Sequence, residues 1–272
     1  MGLRVNTNVA ALTSQRNLGA VTGRLQGNFA RLSSGLRIAT AADDAAGLGI
    51  SERMRAEVRS FTVAGRNAQD GVSLVQTAEG ALQEVSNNLT RMRELAVQAS
   101  NGTLTAQDRA TLDTEFQALV TEIDRVSSQT TFNGVNLLDG TTTSLSVQVG
   151  TDAGESIALS LSDTTSTGLS IGSADVTTAA NAASALSTID TAIDSVSTAR
   201  GTLGASQNRL TSALSSILNT RENLSAAESR IRDVDVAIET ADLTRNSILQ
   251  QAAVSVLSQA NVQPQLALSL LG

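Results

Sequence analysis

Cysteine, histidine, lysine, tryptophan and tyrosine are all missing from these 272 residues, and proline occurs once. Without cysteine there is neither a disulfide framework nor thiolate chemistry, and the redox compartment stays open. Without histidine a zinc-protease motif is excluded. Aromatics make up 1% of a chain that is 41% hydrophobic. The apolar content is therefore Ala, Leu, Val and Ile, which suit closely approaching helix seams better than a thick globular core. All 19 cationic residues are Arg, against 26 acids, for a net charge of -7. Nucleic acid needs a concentrated basic face, so it is not an expected partner. No apolar run approaches the roughly 18 residues of a membrane span, so no membrane partner is expected either. The opening "MGLRVNTNVAALTSQRN" has no basic region followed by an apolar run and a cleavage site. The expectation is a cytoplasmic protein, or one exported without a cleaved leader.

Catalytic chemistry finds no foothold. Asp43 and Asp44 are adjacent, point apart and have no His or Cys to join them, so they read as a polar connector. No Gly-rich loop opens a helix after a strand, and no cofactor, metal ion or enzymatic activity is expected.

What is present is periodicity. Val5, Val9, Leu12, Leu18, Val21, Leu25, Phe29, Leu32 and Leu36 form an amphipathic N-terminal stripe that stops at the small-residue stretch "RIATAADDAAGLG". From Phe61 to Ala99 apolar or small residues recur in alternating steps of three and four, and a continuous helix over 58–99 would span ~63 Å. "TAQD" from Thr105 reads as a capping-box variant opening a helix whose stripe is Leu112, Phe116, Leu119, Ile123 and Val126. Between Phe132 and Ala179 the period changes to two. Asn-Gly and Asp-Gly turn dipeptides appear, and Leu145, Val147, Val149 and then Ile157, Leu159, Leu161 alternate with polar residues. A second seam repeats every seven residues from Ile189 through Val196, Leu203, Leu210, Ile217, Leu224 and Ile231 to Ile238, with small residues on the companion row.

The fold class that follows is mainly α: a long antiparallel helical rod, coiled-coil-like, with a small β-hairpin region at about 130–175 and paired N- and C-terminal helices. The last feature raises its own question. After Arg245 there is no charged side chain, yet ten bulky aliphatics lie between Ile248 and Leu271. Fixing each backbone residue costs roughly 1–2 kcal/mol and burying each aliphatic returns roughly 2, so such a tail needs neighbours to order it. Pairing with the N-terminal arm covers one face only; the remaining apolar faces call for other copies of the chain. A two-fold contact would close into a dimer and a head-to-tail contact would give a filament.

Several blocks then carry a family. "RLSSGLRI" at 31–38, "ADDAAGLGISERM" at 42–54, the stretch 65–103, "EIDRVSSQTTFNGVNLL" at 122–138 and the closing "SRIRDVDVAIETADLTRNSILQQAAVSVLSQANVQPQLALSLLG" resemble bacterial flagellin in the right order. The resemblance implies a filament subunit that is exported unfolded through the flagellar secretion channel and polymerises beneath a cap. Its extracellular partners would be copies of itself, the cap and the hook-junction proteins; inside the cell they would be the export apparatus and a chaperone that holds the tail. It also implies an inner domain of 1–44 with 230–272, a helical domain of 45–229, and no outer domains, hence a thin filament. Inter-subunit and terminal packing would fall to Val5, Val9, Leu12, Leu18, Leu25, Phe29, Leu32, Ile248, Leu249, Val256, Leu257, Leu266, Leu270 and Leu271. Arg91, Leu95 and Glu115 match a motif that contacts the Toll-like flagellin receptor, and all three are expected on exposed helix faces because none lies on the 61–99 seam. Thr142, Thr143, Ser144, Thr165 and Ser166 are candidate O-glycosylation positions by the same resemblance. A hook-filament junction protein is the alternative within the family, and a coiled-coil binding module that never polymerises is the alternative outside it.

Overall fold

The computed structural model describes residues 7–269, with side chains described for 7–262. Five helices, α1 (Val9–Ser34), α2 (Ala45–Ala99), α3 (Ala106–Gln129), α4 (Ala179–Arg232) and α5 (Val236–Ser269), are joined by four short strands placed between α3 and α4. The chain divides into two compact units, residues 1–56 with 223–272 and residues 57–222.

In the larger unit the core is a seam of small and aliphatic side chains. Ala68, Val75, Ala78, Leu82, Val85, Leu89, Met92, Ala96 and Ala99 of α2 are buried together with Ile189, Ala192, Val196, Leu203 and Leu210 of α4. Arg93 pairs with Asp190 at 2.6 Å and Glu79 with Arg200 at 3.9 Å, so α4 numbers rise as α2 numbers fall and the helices are antiparallel. Alternating large and small residues let the backbones approach, as the seven-residue rows require. The helix α3 turns back along α2: Arg109 Nε donates to the Ala99 carbonyl at 2.8 Å, and Phe116, Val120 and Ile123 are buried.

Two local predictions are realised in detail. Thr105 Oγ1 accepts from the Asp108 amide while the Asp108 carboxylate accepts from the Thr105 amide, which closes the capping box of α3. In the first hairpin β1 (Thr131–Phe132) pairs with β2 (Val135–Asn136) across Asn133 and Gly134, whose φ of 50° and 79° meet a type I′ turn's demand for positive φ at both positions. The second hairpin pairs β3 (Ser144–Gln148) with β4 (Ser156–Ser160) from Ser144↔Ser160 to Gln148↔Ser156. Val147, Ile157 and Leu159 face the core, and Asn67 of α2 donates to the Gln148 carbonyl at 3.2 Å. Polar groups of α3 hold the irregular segment that follows: Asp124 accepts from the amide and hydroxyl of Ser166, both at 2.7 Å, and Ser127 donates to the Thr164 carbonyl.

The capping box makes one part of the stability pH-dependent. The side-chain and backbone hydrogen bonds from Thr105 hold the Asp108 carboxyl below its usual value. A depressed folded-state pKa contributes stability that is present above the unfolded value near 4 and is lost as pH falls through the folded one. Asp108→Asn is therefore expected to lower the urea midpoint at pH 7, and its deficit against the wild type should shrink below about pH 4. A deficit that is constant with pH would mean that the carboxylate does not stabilise the helix end.

In the smaller unit α1 lies along α5. Gly35 ends α1 in the left-handed conformation, and its carbonyl accepts from the Val234 amide, while the Arg37 amide donates to the Arg232 carbonyl at 2.6 Å. The segments after α1 and α4 are thus clasped together. Two sequence expectations are corrected here. The connector around Gly47 and Gly49 is already helix, because Asp44 Oδ1 accepts from the Gly47 amide at 2.9 Å and caps α2 at Ala45. Gly47 is needed for closeness, since a Cβ there would meet Asp44 Oδ2 at 2.5 Å and Ile38 Cδ1 at 2.8 Å. The second seam also does not run unbroken to Ile238. Asp233 and Val234 take part in the clasp, Asp235 caps a new helix by accepting from the Ala237 and Ile238 amides, and Ile238 ends up exposed.

Candidate self-assembly surface

The α1/α5 pair is built inside out. A seam of half-buried or buried residues runs through α1 at Ala11, Ser14, Leu18, Val21, Leu25, Asn28 and Leu32, flanked by half-buried Thr22, Gly27 and Arg31, and through α5 at Glu239, Leu243, Asn246, Gln250, Ala253, Leu257 and Ala260, flanked by Asp242 and Ser247. Both sets advance by alternating threes and fours, so each is a coiled-coil seam facing the other helix. Yet the seams carry Ser14, Asn28, Glu239, Asn246 and Gln250, while large aliphatics lie outside. Val9 is 63% exposed, Ile248 61% and Val256 57%, and Leu12, Phe29, Val236, Ile238, Leu249, Val254 and Val262 are exposed with them. Most of the exposed large apolar side chains among the described residues sit on these two helices.

At 100° per residue, Ile248 and Val262 lie opposite the α5 seam, Leu249 and Val256 on one flank, and Val254 on the other. An apolar surface that continues round a helix is not a stable solvent face; it marks a surface to be covered by protein.

The structure sorts the sequence-derived packing residues accordingly. Leu18, Leu25, Leu32 and Leu257 belong to the inner seam; Val9, Leu12, Phe29, Ile248, Leu249 and Val256 belong to the outer surface. Val5, Leu270 and Leu271 lie outside the described residues, as does the side chain of Leu266. The N-terminal stripe drawn through the large residues is therefore two faces. The signal that separates them, missed in the apolar pattern, is the unbroken three-four spacing through Ser14 and Asn28.

Arg91 donates to Glu94 and Glu115, at 2.9 Å and 2.8 Å, and bonding first to Glu94 and then to Glu115 raises the guanidinium pKa further. Both Arg91 and Glu115 are exposed. Leu95 is not: it is 1% exposed and part of the core, which corrects the expectation for that residue. The helix α2 buries two adjacent stripes, and Leu74 and Leu95 lie on the second. Among the glycosylation candidates Thr143 and Ser144 are exposed and Thr142 is half-buried. The Ser166 hydroxyl is buried on Asp124, and that of Thr165 bonds to Asp163 at 2.7 Å, so neither of these two candidates presents a free hydroxyl.

Among the described residues no group of three or more Asp, Glu, His or Cys side chains could hold a metal ion, and no helix is long and apolar enough to cross a membrane.

Comparison with known proteins places this arrangement. Residues 5–143 match the bacterial flagellin N-terminal helical region, and residues 186–271 match the bacterial flagellin C-terminal helical region. The chain is 50% identical to a flagellin of Halalkalibacterium halodurans, over 98% of this chain and 99% of that one. To a flagellin of Bacillus subtilis it is 44% identical, over 99% and 100%. Among solved structures, Bacillus cereus flagellin is 36% identical with a TM-score of 0.52, covering 60% of this chain and 94% of that one. A putative flagellar hook-associated protein from Vibrio parahaemolyticus shares the fold, with a TM-score of 0.59 over 70% and 100% of the chains, at 17% identity.

Proposed function

The chain belongs to the bacterial flagellin family and is a non-enzymatic structural subunit of the flagellar filament; from that premise we propose that the outer aliphatic surface of α1 and α5 is its principal inter-subunit contact. The observation that carries this reading is the placement of Val9, Leu12, Phe29, Ile248, Leu249 and Val256 outside a pair whose inner seam is partly polar. Extensive identity to flagellins along nearly the whole chain favours the filament subunit over the hook-junction protein. The inner assembly domain is assigned to 1–44 with 230–272 and the helical domain to 45–229, close to the division of the chain into 1–56 with 223–272 and 57–222. The subunit passes unfolded through the flagellar secretion channel, with a chaperone masking the α5 aliphatics beforehand, and joins an extracellular filament between hook junction and cap.

Sedimentation after seeding with filament fragments tests this reading. The full chain is expected to pellet, and a chain ending at Arg232, which lacks α5, to stay in the supernatant. If both remain soluble, α1 and α5 do not drive homopolymerisation.

Recognition of the free monomer by the Toll-like flagellin receptor is assigned to Arg91 and Glu115, with Leu95 supporting them from the core. Wild-type monomer should activate receptor reporter cells and Arg91→Ala should be weaker; silence of the wild type at saturation removes the assignment. O-linked sugar is assigned to the exposed Thr143 and Ser144, and the intact mass of the native subunit should then exceed 28.0 kDa.

A further inference from the structure

Three polar side chains meet in the α1/α5 seam towards its clasped end, where α1 finishes and α5 starts. Asn28 Nδ2 donates to Glu239 Oε1 at 2.6 Å, and Asn246 Nδ2 donates to Asn28 Oδ1 at 2.8 Å. Asn28 and Glu239 are each 6% exposed, and Arg31 approaches the same carboxylate at 3.9 Å from the rim. Near the far end of the pair Asn8 caps α1 by accepting from the Ala11 amide and donates to the Ala260 carbonyl at 2.7 Å. Polar groups thus connect the two helices at two places along the seam, in addition to the clasp at its end.

We propose that the Asn28–Glu239–Asn246 network sets the rotation of α5 on α1, holding the aliphatic faces of α5 outward for assembly. This deepens the filament reading and rests on it. The helix α5 carries aliphatics on every side, so apolar burial alone does not favour Glu239, Asn246 and Gln250 facing inward over Ile248, Leu249 or Val256. An unspecified pair would turn its most apolar face in and hide the surface that other copies need. The clasp at Leu36 and Asp233 joins the end of α1 to the start of α5 through backbone groups, and Glu239 in the first turn of α5 with Asn246 further along are the polar side chains that then fix its azimuth. A buried Asn and carboxylate decide it, because any other rotation of α5 leaves Asn28 in the interface without its partners and carries Glu239 and Asn246 onto the surface that other copies must cover.

The absence of native cysteine makes the test direct. In the full chain, Ser14→Cys on the inner face of α1 is combined with Leu257→Cys on the inner face of α5, or with Ser255→Cys on its outer face. Intramolecular cross-linking is read by gel mobility in seeded filaments and in the soluble chain. Native background should favour the inner pair by at least about tenfold. Asn28→Leu with Glu239→Leu and Asn246→Leu should bring the two yields within about threefold of each other and slow seeded growth. The exchange Asn28→Glu with Glu239→Asn moves the carboxylate to α1, where the amides at positions 239 and 246 can both donate to it, and should restore the inner preference. If the apolar triple variant keeps the native preference and growth rate, the network does not set the rotation. If that variant loses its helix content, the exchange variant decides: native preference supports the network and loss of preference overturns it. Failure of the native chain itself to grow on seeds would instead count against the filament contact.

Discussion

Ile248→Asp combined with Val256→Asp is expected to leave the soluble subunit intact and to abolish filament growth at ordinary concentrations. Both side chains are more than half exposed in the subunit, one opposite the α5 seam and one on its flank, so in solution each new carboxylate is hydrated. Exposed substitutions of this kind cost within about 0.5 kcal/mol. If the outer surface of α1 and α5 is the inter-subunit contact, the same positions are covered in the polymer. Each aliphatic then forfeits roughly 1.5–3 kcal/mol of burial, before any penalty for a carboxylate enclosed without a partner. Two positions together remove about 3–6 kcal/mol per subunit, and every 1.4 kcal/mol is tenfold in an equilibrium constant. The critical concentration should rise at least about a hundredfold, while circular dichroism of the unpolymerised chain stays as it was. Sedimentation across a concentration series measures this. Growth indistinguishable from the wild type would put these faces on a free surface of the filament and would require a different contact.

The same two residues show where sequence reasoning succeeds and where it stops. That the uncharged tail keeps apolar faces beyond what the N-terminal arm can cover is legible, because aliphatics on several faces of one helix cannot all meet one partner. Which of them faces α1 is not, because an apolar pattern puts the large side chains on the inner stripe, whereas the inner seam runs through Ser14, Asn28, Glu239 and Asn246. Local rules fared well wherever local energies decide. Thr105 and Asp108 close their box and Asn133 and Gly134 make their turn, because each depends on neighbours in sequence, while the 61–99 seam is buried through most of its length because its period calls for a partner helix, which α4 supplies. They failed where a distant contact overrides them. Gly47 reads as a breaker, yet Asp44 caps it into a helix and Ile38 needs the space of its missing side chain. Ile238 continues a heptad, yet the clasp of Asp233 with Leu36 restarts the helix in a new phase. Leu95 lies off the one seam that periodicity reveals and is buried because α2 has two buried stripes.

Phe116→Ala should produce the opposite phenotype, a subunit that is destabilised without loss of its assembly surface. Phe116 is fully buried on α3, beside Val120 and Ile123, in the core that α2, α4 and the second hairpin complete. Apart from Met92 the buried core is otherwise Ala, Val, Leu and Ile, with few side chains long enough to move into the gap. The substitution should cost about 3–5 kcal/mol, a large part of the 5–15 kcal/mol typical of a domain. The urea midpoint should fall with an unchanged slope, since the same surface is exposed on unfolding. Seeded growth at low temperature should survive, because α1 and α5 are untouched, but filaments should melt at lower temperature than the wild type. Phe29→Ala supplies the contrast. Its ring is 55% exposed on α1, so the soluble subunit should barely change while the critical concentration rises. If the two substitutions instead shifted unfolding and growth in parallel, folding of residues 57–222 and polymerisation through α1 and α5 would be one coupled event. The separation argued from the burial of Phe116 and the exposure of Phe29 would then fail.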